Sequence, residues 1–109
     1  MSSEKSLTSM EEIDAFIMNN RFSLLYFSRE NCSVCHGLLP QVEAIINNYP
    51  NIQLGLIDTD DIQAVAGKFS IFTVPVILLF IEGKEMMREA RIVHLDIFEE
   101  KLAKLYVNS

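Results

Sequence analysis

The segment from Phe22 to Ile57 constrains the fold most. Phe22 to Ser28 reads FSLLYFS, apolar and aromatic with no regular polar alternation. Such a run marks a buried strand. Cys35, Leu38, Leu39, Val42, Ile45, Ile46 and Tyr49 then fall at three- and four-residue steps, one face of a long amphipathic helix. Asn48 to Asn51, with Pro50, end it, and Ile52 to Ile57 forms a second strand. A strand, a helix and a strand in that order imply a right-handed crossover and a parallel pair.

The flanks complete an alternation of helices and strands. Ser9-Met10-Glu11-Glu12 has the form of a capping box, and Ile13, Phe16 and Ile17 extend a first helix to about Asn19. Leu7 and its neighbours leave open whether a short edge strand forms there. Asp60 is expected to cap a short helix bearing Ile62, Val65, Ala66 and Phe69. Val76 to Ile81 is the strongest strand in the chain. Glu82-Gly83 is a tight turn, and Glu85 to Ala90 returns antiparallel. A last helix over Leu95 to Tyr106 is expected to turn Ile97, Phe98, Leu102 and Leu105 inward. The hairpin makes the sheet mixed, with helices on both faces, in an α/β architecture.

The chain of 109 residues suits one domain spanning 1–109, with no linker or repeat. A formal charge of -6 argues against nucleic acid and against an anionic membrane surface as partners. No apolar run approaches the roughly twenty residues of a membrane helix. Met1 to Met10 is polar and shows no secretory signal in the chain given, so the expected compartment is the cytoplasm.

Chemistry concentrates at Cys32-Ser33-Val34-Cys35, which holds both cysteines of the chain. Cys32 falls where the long helix begins. Unpaired N–H groups and the helix dipole there favour a thiolate. Cys35 lies one turn later on the apolar face, covered and less acidic. The spacing thus makes an exposed nucleophile, Cys32, and a resolving thiol, Cys35. Structural zinc needs four ligands, and these two cysteines with His36 and distant His94 fall short, so no metal is expected. Cys32 to His36 also fits the C-x-x-C-H haem-attachment pattern, but haem requires an exported chain and a pocket at the helix start.

These residues resemble the thioredoxin family. The resemblance rests on the cysteine pair after FSLLYFS, Pro40 five residues past Cys35, and Thr73-Val74-Pro75 before a strand. Phe80 and Gly83 also fit, and the likeness runs from about Met10 to Tyr106. It implies the thioredoxin fold, with a central mixed sheet of four to five strands. It implies a cis-proline at Pro75 beside the cysteines, and Val74 offering its backbone to an extended substrate. Thr73 and Asn31 join that substrate site. Pro40 removes a hydrogen bond to the His36 carbonyl and is expected to kink the helix. No bound cofactor is implied, because the Cys32–Cys35 dithiol is the redox group. The implied partners are proteins with disulfides and an NADPH-dependent reductase; a monomer is expected.

The chain departs from the family pattern at several positions. Asn31 stands where the family often has Trp, and Ser33-Val34 where it has Gly-Pro. Tyr26 replaces a buried Asp, and its Lys neighbour corresponds to Leu54. A buried phenol, with a pKa near 10, is a poor base at neutral pH. Arg91 aligns with a glycine and brings charge to the docking surface. Ser33, Val34, His36 and Tyr26 are therefore the residues expected to tune the redox behaviour; a protonated His36 would favour the Cys32 thiolate. Of Met86 and Met87, one is expected to face the core and the other solvent by strand alternation; Phe72 is expected in the core, with the docking groove near Val74-Pro75 as its alternative.

The favoured function is thiol–disulfide exchange that reduces protein disulfides. One alternative is a thioredoxin-fold adaptor or binding module with non-catalytic cysteines. Another is a more oxidising oxidase or isomerase, because Ser33-Val34 differs from the strongly reducing pattern.

Overall fold

A computed structural model describes residues 4–109. The elements in order are β1 (Glu4–Ser6), α1 (Met10–Asn19), β2 (Phe22–Ser28), α2 (Ser33–Ile46), β3 (Ile52–Asp58), α3 (Ala64–Phe69), β4 (Val76–Ile81), β5 (Lys84–Ala90) and α4 (Leu95–Val107). One five-stranded sheet has the order β1-β3-β2-β4-β5. β1, β3 and β2 run parallel, and β4 and β5 complete the sheet antiparallel.

The largely apolar character of β2 has a direct cause: both its faces are covered. Phe22, Leu24 and Tyr26 pack with Cys35, Leu38, Val42 and Ile46 of α2 and with Phe98 and Leu102 of α4. Leu25 and Phe27, on the other face, pack with Ile13, Phe16 and Ile17 of α1 and with Val65 and Phe69 of α3. Ser23, the buried polar residue of this strand, donates its hydroxyl to the Phe16 carbonyl at 3.2 Å. α1 starts as expected, with the Glu12 N–H donating to Ser9 Oγ. Gly55 of β3 lets α1 and the N-terminal segment close in. A Cβ there would stand 2.7 Å from Leu7 Cδ1 and 3.0 Å from Phe16 Cε2.

The open question at Leu7 is answered, and several expectations are corrected. Residues just before Leu7 do form an edge strand, and the Leu7 N–H donates to the Leu56 carbonyl at 2.9 Å. Asp60 does not cap α3, which begins at Ala64 with no side-chain cap. Asp58, at the end of β3, takes the turn's donors instead: its carboxylate accepts from the Asp60 N–H, and its carbonyl from the N–H groups of Asp61 and Ile62. Ile97 is exposed, because the seam of α4 is narrow and Phe98 and Leu102 fill it. Phe72 is 85% exposed, since Phe69 and Ile71 already occupy the core beside it. Met87 faces the core and Met86 solvent, as alternation requires.

β1 meets α2 through a pair of carboxyls. A side-chain hydrogen bond to Glu4, then burial, then repulsion from the same carboxylate, raises the pKa of Glu43 from 4.5 to about 7. An acid whose pKa is raised on folding contributes its stability fully below the unfolded value. That contribution is lost as pH rises towards about 7. Solvent screening keeps the loss to about 1 kcal/mol or less. Glu43→Gln retains a donor for Glu4 and removes the proton loss. Its thermal midpoint is expected to fall less than that of the parent between pH 5 and 8 (about three units, spanning the titration); equal falls would disprove this linkage.

Candidate active site

β2 ends at Ser28, and a short loop delivers Cys32 to the start of α2. Cys32 is the N-cap residue, and its Sγ accepts the Cys35 N–H at 3.1 Å. The first-turn amide therefore points at sulfur, an arrangement that favours negative charge there once the pair is reduced. Cys32 and Cys35 are joined as a disulfide, with Cα atoms 5.2 Å apart. Cys35 is 1% exposed, whereas Cys32 is only partly covered. Among the described residues, no cluster of three or more His, Cys, Asp or Glu side chains is placed to hold a metal ion.

A groove of about 780 Å³ opens beside Cys32. Three segments distant in sequence line it: residues 31–34, 73–75 and 90–92. Thus Asn31, Cys32, Ser33, Val34, Thr73, Val74 and Pro75 line one groove. The Val74–Pro75 peptide bond is cis. Pro75 is buried, and its carbonyl accepts the Arg91 N–H at 2.9 Å. Val74 precedes β4 and pairs with no strand of the sheet, so its backbone edge stands at the groove.

Arg91 holds φ at +66°, in the left-handed region. A residue with a side chain adopts that region at a cost of about 1–2 kcal/mol, which glycine avoids. Ala90 and Ile92 are groove residues that the sequence did not single out. Their only signal was adjacency to Arg91 at the end of β5. Ile92, Val34 and Phe72 are exposed apolar side chains in or next to this region.

The remaining candidates act differently from one another. Tyr26 is 1% exposed, and its hydroxyl donates to the Cys35 carbonyl at 2.6 Å. Burial pushes its pKa from 10.0 to about 12, so it stays neutral and is no base at physiological pH. Leu54 lies in the same apolar cluster. His36 is exposed on the first turn of α2. Its Nε2–H donates to the Glu30 carbonyl at 2.7 Å, which ties the loop before Cys32 to the helix. α2 runs through Pro40, which is exposed and has no N–H for the His36 carbonyl. His94 is the exposed N-cap residue of α4 and lies outside the groove.

A cysteine pair at a strand-to-helix junction, one sulfur at a groove and the other buried, defines a thiol–disulfide oxidoreductase. The thioredoxin family model matches residues 4–104. The thioredoxin-like protein YdfQ of Bacillus subtilis (strain 168) is 51% identical over 100 residues, which cover 92% of this chain and 89% of that protein. A thioredoxin of Chlamydia pneumoniae is 29% identical over 82 residues, 75% of this chain and 79% of its own. Among solved structures, thioredoxin O2 of Arabidopsis thaliana in its oxidised state superposes with a TM-score of 0.85 at 23% identity, covering 96% of each chain. The chain belongs to the thioredoxin family.

Proposed function

We propose that this protein reduces disulfides in other proteins, in the cytoplasm and as a monomer. Cys32 is the attacking sulfur and Cys35 the resolving one. The observation that carries this reading is the unequal burial of the two cysteines beside one groove.

In the reduced protein, the Cys32 thiolate attacks one sulfur of a substrate disulfide. The Cys32–substrate bond forms, and the other substrate sulfur leaves as a thiolate. Cys35 then attacks Cys32 Sγ. The Cys32–Cys35 bond forms, and the second substrate sulfur leaves and takes up the proton that Cys35 gives up. Two electrons have passed to the substrate, and an NADPH-dependent reductase returns them. Val74 holds the substrate backbone in the manner of strand addition, with Pro75, Thr73 and Asn31 shaping the site. Ser33, Val34, His36 and Tyr26 set the potential through the surroundings of the two sulfurs. The working group is the cysteine pair itself, with no added cofactor.

Equilibration with glutathione redox buffers tests the direction of flux. A reduction potential near about -270 mV supports a reductase; one between about -180 and -120 mV overturns that direction in favour of an isomerase or oxidase.

A further inference from the structure

We propose that Arg91 makes this protein selective for extended substrate segments that carry an acidic side chain close to the disulfide. The proposal deepens the exchange reading above and rests on it. Ten residues line the groove beside Cys32, and Arg91 is the sole charged one. It is also unspent. Arg21 lies near Glu82, Arg29 near Asp60 and Arg88 against Glu85. Among the described residues Arg91 makes no such pair.

Its position is held from behind. The N–H of Arg91 is bound to the Pro75 carbonyl, so the residue is tied to the segment whose Val74 edge faces the substrate. The left-handed backbone keeps a charged side chain where glycine would sit without strain. An observed outlier of this kind at a binding groove points to a use for the side chain. The occupant follows from charge. An exposed guanidinium, hydrated in the free protein, offers a ligand carboxylate planar two-point geometry.

The chain's net charge of -6 works in the opposite sense, by repelling acidic ligands at long range. At about 0.1 M salt the screening length is about 10 Å, so charges spread over the surface weaken while a contact in the groove survives. The local cation therefore decides the preference.

The test uses three peptide disulfides that differ only in the residues flanking the cystine: Glu, Gln or Lys. Each second-order rate constant with the dithiol form of the protein is divided by the rate of the same peptide with dithiothreitol, which removes the intrinsic reactivity of the peptide. The Glu peptide is expected to react about three- to five-fold faster than the Gln peptide, as an exposed ion pair allows, and the Lys peptide slower. Arg91→Gln should erase the order and Arg91→Glu reverse it. Arg91→Gly, which relieves the backbone, should also erase it and guards against a misfolded glutamine variant. Equal normalised rates with the parent protein, or an order that persists in both neutral variants, overturns the selectivity alone. Failure to reduce any of the three overturns the exchange reading with it.

Discussion

Cys35→Ser is expected to accumulate covalent complexes with oxidised protein substrates, linked through Cys32. The substitution removes the buried sulfur that completes the cycle and leaves the one at the groove. Turnover of a protein disulfide should fall by at least about a hundredfold, since only slow external thiols can then cleave the mixed disulfide. Cys32→Ser should fall as far and trap nothing, because a buried Cys35 cannot reach a partner. Non-reducing gels and single-turnover kinetics read both outcomes. A Cys35→Ser protein with parental turnover would falsify the two-sulfur mechanism. Intact biological activity in Cys32→Ser would move the function to binding rather than exchange.

Tyr26→Asp carries the second large effect. It installs the acidic residue that the family resemblance associates with this position, but in a different environment. Tyr26 packs among Phe22, Leu24, Cys35, Leu54 and Leu79, and Leu54 offers no cation. A carboxylate there loses its hydration without a partner, so its pKa rises above the unfolded value of about 3.9. Stability is then greatest below that value and is lost as pH rises through the folded pKa. A loss of about 3 kcal/mol or more is expected at pH near 7, including the space left by the ring. Tyr26→Phe removes only the hydroxyl bonded to the Cys35 carbonyl. It should cost about 1–2 kcal/mol, with no added pH dependence below about pH 8. Denaturant titrations at acid and neutral pH separate the two variants. A Tyr26→Asp protein equally stable at both would show that the site hydrates or pairs a charge.

Much of this molecule is legible along the chain because its signals are local. Burial on both faces writes itself into β2 as FSLLYFS, and the 3.6-residue period of α2 places Cys35 inward beside Leu38 and Val42. The cap at Ser9, the turn at Glu82-Gly83 and the opposed faces of Met86 and Met87 are likewise set by near neighbours. Misreadings arose where composition was locally sufficient and packing decided otherwise. Asp60 suits a helix cap, but Asp58 at the strand end already accepts the turn's donors. Ile97 and Phe72 are hydrophobic enough for a core whose space nearer residues had taken.

The sequence alone determined the element order from α1 onward, the buried strand, the helix start at the cysteines and the covered position of Cys35. These follow from periodicity, capping and the helix dipole, which act over a few residues. Only the tertiary structure decided the full lining of the groove at Cys32, with Ala90 and Ile92 in it. The groove joins residues 31–34, 73–75 and 90–92, and the Arg91 N–H meets the Pro75 carbonyl across that distance in sequence. Sheet pairing brings those segments together, and the left-handed turn that holds Arg91 at the groove exists only once β5 lies beside β4.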